Sequence, residues 1–309
     1  MIHVPGTVAE PVRAPAVAGS FYPSDAGALA TMVDDLLQAA LPPAEAVAAA
    51  AGGLAGILVP HAGLAYSGPV AALAWKLAAT LAPETIVMLG TNHGAGWLDG
   101  VGVWEAGTWR TPLGDVEVDE DLAAEIVALG SPFAVDRDAH RSEHSLEVQL
   151  PFIRFALAGV RIVPLAIGTG TGELAVRAGD RLGALLAARR ADGARIALGI
   201  STDMAHYPPA AVGARITRDL APIILALEPT RLARREADLA SGNLPGVVCG
   251  MCGIEPTVVG LAALQAMGVQ RGIRLAAATS ADAGGPPSRT VGYFAAAFPD
   301  ASTGRVPLA

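Results

Sequence analysis

Four apolar runs constrain this chain more than any other feature. LAGILV (residues 54–59), TIVMLG (85–90), RIVPLAI (161–167) and RIALGIS (195–201) are of strand length and almost without polar side chains. A strand buried on both faces reads this way, and a parallel sheet covered by helices is its usual setting. Helical patterns lie between and around these runs. Residues 24–40 repeat apolar positions at steps of three and four, with Ser24 as the expected cap. Residues 69–81, 119–129, 145–157 and 173–189 read as helices, and others follow Pro209 and Pro256. GVGVW (100–104) and DVEV (115–118) are shorter strand candidates, and RLAAATS (274–280) and TVGYFAAAF (290–298) are the expected last strands. The pattern predicts an α/β fold with a mainly parallel central sheet flanked by helices. No linker divides it, so residues 1–309 are expected to form a single domain. The N-terminal arm (1–23) and C-terminal tail (299–309) are expected to pack poorly.

Charge and patterning exclude several classes. A net charge of −8 and a pI near 5.2 argue against nucleic acid as a partner, because phosphate neutralisation needs a basic face. Residues 46–75 carry no formal charge, but Pro60, His61 and several glycines interrupt any apolar helix of about 20 residues, so no membrane span is expected. The first residues lack the basic-then-apolar pattern of a secretory signal. Two cysteines three positions apart do not make a disulfide framework. The expected compartment is cytoplasmic.

The polar chemistry collects where such a sheet would place it. Open α/β sheets put ligand sites at the carboxyl ends of their strands. His61 follows LAGILVP, His93 follows TIVMLGTN, and Asp203 and His206 follow RIALGIS within the expected turn STDMAHY. His140 and His144 follow the short run FAVD, so five of the six histidines point to one shared site, and His3 alone stands apart. Two imidazoles with one further anionic ligand leave positions open, a set typical of non-haem Fe(II) and compatible with Zn(II). Cys252 is a candidate third ligand, since a helix expected to start near Pro256 would favour its thiolate. Cys249-x-x-Cys252 also fits a redox dithiol or two buried thiols. Asp203 and His206 could share a pocket, His206 carrying a proton and Asp203 orienting it. Glu143 and His144 could hold the outer N–H groups of metal-bound imidazoles, and Glu147, one helical turn on, could support the same face. No G-x-S-x-G elbow or phosphate-binding loop is present.

At these residues the sequence resembles the Memo family, whose prokaryotic members are often called AmmeMemoRadiSam system protein B. The match passes in order through VRAPAVAGSFYP, VPHAGLAYSG, LGTNHG, WRTPLGDVEVD, EHSLEVQLPF, STDMAHY, CGIEP and TVGYFAAAF. The resemblance implies the fold of class III extradiol dioxygenases and a metal site formed by His61, His93 and Cys252. Asp203 and His206 fall on the remaining pocket positions. Fe(II) is the expected metal, with Cu or Zn as alternatives. Bacterial members are linked by name to AMMECR-type and radical SAM protein partners. Two departures stand out. The family motif C-G-x-G-P or C-G-x-H-P has Glu255 in its fourth place here, and Cys249 matches no family position.

The expectation is a metal-binding protein with an oxidation or redox role acting on a small molecule or peptide. Two rivals are a non-catalytic peptide- or protein-binding module using the same pocket, and a zinc-dependent hydrolase in which Asp203 or His206 takes a proton from water.

Overall fold

The computed structural model describes residues 11–242 and 244–300; His3 and nearly all of the C-terminal tail lie outside the described residues. The strands are β1 (Val12–Arg13), β2 (Leu54–Val59), β3 (Thr85–Thr91), β4 (Gly100–Val103), β5 (Thr108–Thr111), β6 (Gly114–Glu117), β7 (Phe133–Val135), β8 (Arg161–Gly168), β9 (Ile196–Ser201), β10 (Met204–His206), β11 (Cys249–Met251), β12 (Ile273–Thr279) and β13 (Gly292–Pro299). The helices are α1 (Ala26–Ala39), α2 (Ala44–Ala50), α3 (Leu64–Ala79), α4 (Glu120–Ala128), α5 (Leu150–Ala156), α6 (Glu173–Ala191), α7 (Ala210–Leu225), α8 (Pro229–Ser241) and α9 (Ile254–Ala266).

One sheet organises a single α/β domain, in the order β12-β13-β2-β9-β3-β8-β4-β7. Its middle strands β2, β9, β3 and β8 are parallel. They contain the four apolar runs, and every residue of β2, β3 and β9 is buried. The edges depart from the parallel rule. β13 is antiparallel to both β2 and β12, and β4 is antiparallel to β8. No α-helix separates β12 from β13, and parallel pairing normally needs such a crossover. The sheet is therefore mixed around a parallel centre. On one face α6 and α9 pack in close contact: a Cβ on Gly179 or Gly183 would fall 2.3 or 2.2 Å from backbone oxygens of α9.

Several local expectations are corrected. Asp25, not Ser24, caps α1, its side chain accepting from the Ala28 N–H at 2.8 Å. Helix α3 starts at Leu64, so only Pro60–Gly63 separate β2 from a helix, and Pro69 lies within it. The segment 145–157 is helical only from Glu147, first as a 3₁₀ turn and then as α5. STDMAHY is not a turn, because Met204–His206 forms a ribbon with β11. DVEV belongs to a separate small sheet, β1-β5-β6.

The arm is the largest correction, for its described part is anchored by two buried side chains. Arg13 and Tyr22 are buried, and both reach Glu147. Arg13 forms an ion pair with the Glu147 carboxylate, and the Tyr22 hydroxyl donates to it at 2.5 Å. The Ala16 and Val17 N–H groups donate to the same carboxylate at 2.8 and 2.9 Å. A buried carboxylate is tolerable when its lone pairs are filled in this way. Its partners lie more than 120 positions away along the chain, which is why local pattern missed them. Among the described residues no helix is long and apolar enough to cross a membrane.

Candidate metal centre

The carboxyl ends of β2, β9 and β3 open onto one cavity of about 470 Å³. His61 sits in the short link from β2 to α3, and His93 follows β3. Asp203 follows β9, and His206 ends β10. Cys252 follows β11, directly ahead of Gly253 and α9. A Cβ at Gly253 would lie 2.6 Å from the Thr202 side chain, so only glycine lets this segment close against the end of β9.

His61, His93 and Cys252 each offer a ligand atom, and the three atoms lie within 4.8 Å of one another. The His61 Nε2 is 3.1 Å from the Cys252 sulfur. The two imidazoles meet edge to face, with ring centroids 5.4 Å apart. The Cys252 sulfur accepts from the Asp203 backbone N–H at 3.3 Å. Burial, followed by the Asp203 charge, pushes the Cys252 thiol well above its usual range. A bound cation acts in the opposite direction, because coordination deprotonates a thiol.

Glu143 fixes His93. Its Oε1 lies 2.9 Å from the ring Nδ1, and its Oε2 accepts from the His93 backbone N–H at 2.8 Å. Glu143 Oε1 also accepts from the Ser145 N–H at 2.7 Å. Burial alone would raise the carboxyl, but its hydrogen bonds and charge contacts with His93 outweigh that and hold it well below the usual carboxylate range. A carboxylate accepting at Nδ1 leaves Nε2 with the lone pair a metal needs. His144 stacks on His93 at 4.3 Å, and burial lowers its pKa.

Asp203 and His206 line the same cavity. Asp203 Oδ1 accepts from the His61 and Ala62 N–H groups at 2.8 and 3.2 Å, which ties it to the β2–α3 link. Burial pushes its carboxyl up to about 7 despite those bonds. His206 Nε2 lies 3.9 Å from Asp203 Oδ2, too far for a hydrogen bond, and is buried with no partner among the described residues. Burial, with His93 and His144 adding to it, lowers His206 to about 4. Phe21, Tyr66, Tyr207 and Tyr293 supply aromatic walls.

Not every expected residue reaches this cavity. His140 is buried between Trp104 and Trp109, with Nε2 2.9 Å from the Gly102 carbonyl. The expected five-histidine site is therefore a four-histidine one. The 3₁₀ turn Asp138–His140, which follows edge strand β7, carries His140 inward instead. Cys249 pairs with His206 across the β10–β11 ribbon, and burial followed by the Glu236 charge pushes its thiol up to about 11. Among the described residues Cys249 and Glu255 join none of the convergent ligand groups. Burial raises the Glu255 carboxyl, with the Gly170 backbone opposing the shift. Glu147 supports the site loop from behind, through Arg13, rather than from its own helical face. Arg13 donates to the carbonyls of His140, at 3.1 Å, and Glu143, at 2.6 Å, and no local sequence signal marks it for this task.

The fold and the site define an α/β protein with a His/His/Cys donor cluster at the strand ends. The chain belongs to the Memo family: the pattern for "Memo-like protein" matches residues 13–297. It is 36% identical over 290 residues to MEMO1 family protein MK0963 of Methanopyrus kandleri, covering 93% of this chain and 98% of that protein. A MEMO1 family protein of Aquifex aeolicus is also 36% identical, over 93% of this chain and 99% of its own. Among solved structures, the uncharacterized protein JW3007 from Escherichia coli K12 shares the fold, with a TM-score of 0.50 at 18% identity. That likeness covers 79% of this chain and 99% of the other.

Proposed function

We propose that this chain is a metal-dependent protein with an oxidation role, its ion held by His61, His93 and Cys252. The observation that carries this reading is the convergence of those three ligand atoms within 4.8 Å. The donor set fits the group: two imidazoles and one thiolate suit Fe(II), Cu or Zn, and three protein ligands rather than four leave positions open. His206 adds to the fit, since it lines the cavity those positions would share and its Nε2 has no partner among the described residues. We take Fe(II) as the working metal. When bound, the ion supplies a Lewis-acidic, redox-active centre.

The chain's own residues do the rest. Glu143 orients His93 through Nδ1. Asp203 anchors the His61 backbone and keeps one carboxyl oxygen toward His206. His206 accepts or returns a proton at Nε2, within reach of a ligand in the cavity. Phe21, Tyr66, Tyr207 and Tyr293 line the cavity and favour a ligand with a flat apolar body. The extradiol dioxygenases, whose fold the Memo resemblance implies, use a carboxylate where Cys252 stands, so we propose oxidation chemistry without assigning ring cleavage.

The test is purification without oxygen followed by elemental analysis. We expect iron bound to the chain and its loss in Cys252→Ser. Zinc with no dependence on oxygen would favour the hydrolase. A chain that binds no metal when supplied with Fe(II), Cu(I) or Zn(II) would overturn the reading and favour the binding module.

A further inference from the structure

Behind His61 lies a chain of buried polar groups that the proposed chemistry does not use. Trp75, Gln149 and Ser201 are fully buried, and His61 is 1% exposed. Each hydrogen in the chain can be assigned by elimination. The Trp75 indole only donates, so Gln149 turns its Oε1 toward it, at 2.9 Å. That leaves the Gln149 amide nitrogen to donate to the Pro60 carbonyl at 2.9 Å and to Ser201 Oγ at 3.2 Å. Ser201 has a single hydroxyl hydrogen. The Ser145 carbonyl, 2.7 Å away, can only accept, so it takes that hydrogen. His61 Nδ1 lies 2.9 Å from the same Ser201 oxygen. With its hydrogen committed, Ser201 must accept there, so His61 carries its proton on Nδ1. The lone pair is then on Nε2, the atom 3.1 Å from the Cys252 sulfur.

We propose that Ser201, held by Gln149 and the Ser145 carbonyl, is a positioning residue that sets the His61 tautomer and so presents Nε2 to the metal position. The proposal rests on the metal reading above and deepens it. Glu143 does the same for His93 by a different device, a carboxylate instead of a committed hydroxyl. The segment EHSLEVQL thus serves both imidazoles: Glu143 directly, Ser145 and Gln149 through Ser201. Its remaining acid, Glu147, ties the segment to the arm. An imidazole held in one tautomer and one ring orientation binds a metal without first reorganising.

The experiment uses the full chain, labelled with ¹⁵N and stripped of metal by a chelator. Long-range ¹H–¹⁵N correlation reports which ring nitrogen of His61 is protonated, and Zn(II) titration reports affinity. We expect the proton on Nδ1 in the wild type. In Ser201→Ala we expect mixed tautomers and Zn(II) binding about 10- to 100-fold weaker. Ser201→Thr, which keeps the hydroxyl, should restore both. Gln149→Met provides a second route should Ser201→Ala not fold: it removes one of the two contacts that hold Ser201 Oγ in place, and a partial loss of the Nδ1–H form is expected. A wild-type proton on Nε2, or an unchanged tautomer in both variants, overturns the proposal. Wild-type chain that takes up no Zn(II) or Fe(II) overturns the metal reading instead, while the tautomer measurement still decides the role of Ser201.

Discussion

Strands β2 and β9 open at each end onto a cavity, and the two cavities are nearly equal in size, about 510 Å³ at the amino ends and 470 Å³ at the carboxyl ends. Their linings differ in kind. The amino-end cavity has Arg190, Arg195 and Asp300 among apolar residues, and its charges are satisfied by one another or nearby: Arg190 pairs with Asp300 at 2.6 Å and Arg195 with Glu84 at 3.1 Å. The carboxyl-end cavity gathers His61, His93, His144, His206 and Asp203, with His206 Nε2 left without a partner among the described residues. Size therefore does not mark the site. What marks it is a set of convergent donors whose other faces are fixed by buried hydrogen bonds while the inner faces stay available.

The sharpest break of this comparison is Cys252→Ser, which replaces a thiolate by a neutral hydroxyl. We expect nearly all bound metal to be lost in anaerobic elemental analysis, whereas Arg190→Met at the other end should leave metal content unchanged. Equal loss in both would abolish the distinction. Cys249→Ser should also leave metal in place, and loss there would mean that Cys249 is the ligating sulfur.

Next in size is the support behind the site loop. Removing one partner of a buried ion pair typically costs about 3–5 kcal/mol, so Arg13→Met should lower unfolding stability by that order in urea titrations. The Arg190–Asp300 pair is partly exposed, and Arg190→Met should cost about 1 kcal/mol or less. Similar costs at the two ends would show that the arm does not hold the site.

Glu143→Gln tests the orienting carboxylate. The amide keeps the shape but loses the charge that favours a proton on His93 Nδ1. We expect metal affinity to fall about 10- to 100-fold, read by Zn(II) titration. An unchanged affinity would remove Glu143 from the site.

The smallest effect separates His140 from the cavity histidines. Burial lowers His140 to about 4 from its ordinary 6.5. The folded state thus resists a proton that the unfolded chain accepts. Its contribution is complete above about pH 6.5 and falls as pH drops toward 4, by roughly 2 kcal/mol between pH 7 and 5. His140→Gln should flatten the stability–pH curve by that amount and leave metal content unchanged. A curve as steep as that of the wild type would refute this assignment.

Much of the molecule was legible in the chain. The four apolar runs gave the parallel centre, because a strand buried on both faces leaves an uninterrupted local trace. The residues His61, His93, Asp203, His206 and Cys252 stood out because strand ends and a helix start can be recognised from neighbours in sequence. Tertiary structure decided the rest. It turned His140 away from the site and into the Trp104–Trp109 pocket, although the local sequence made it look equivalent to His144. It packed the arm through Arg13 and Tyr22 onto Glu147, and it joined Gln149 and Ser201 behind His61 across 52 positions. The physical reason is common to all three. Apolar periodicity and caps are encoded by residues within a few positions of each other, whereas a buried polar group is defined by whichever distant partner fills its last hydrogen bond.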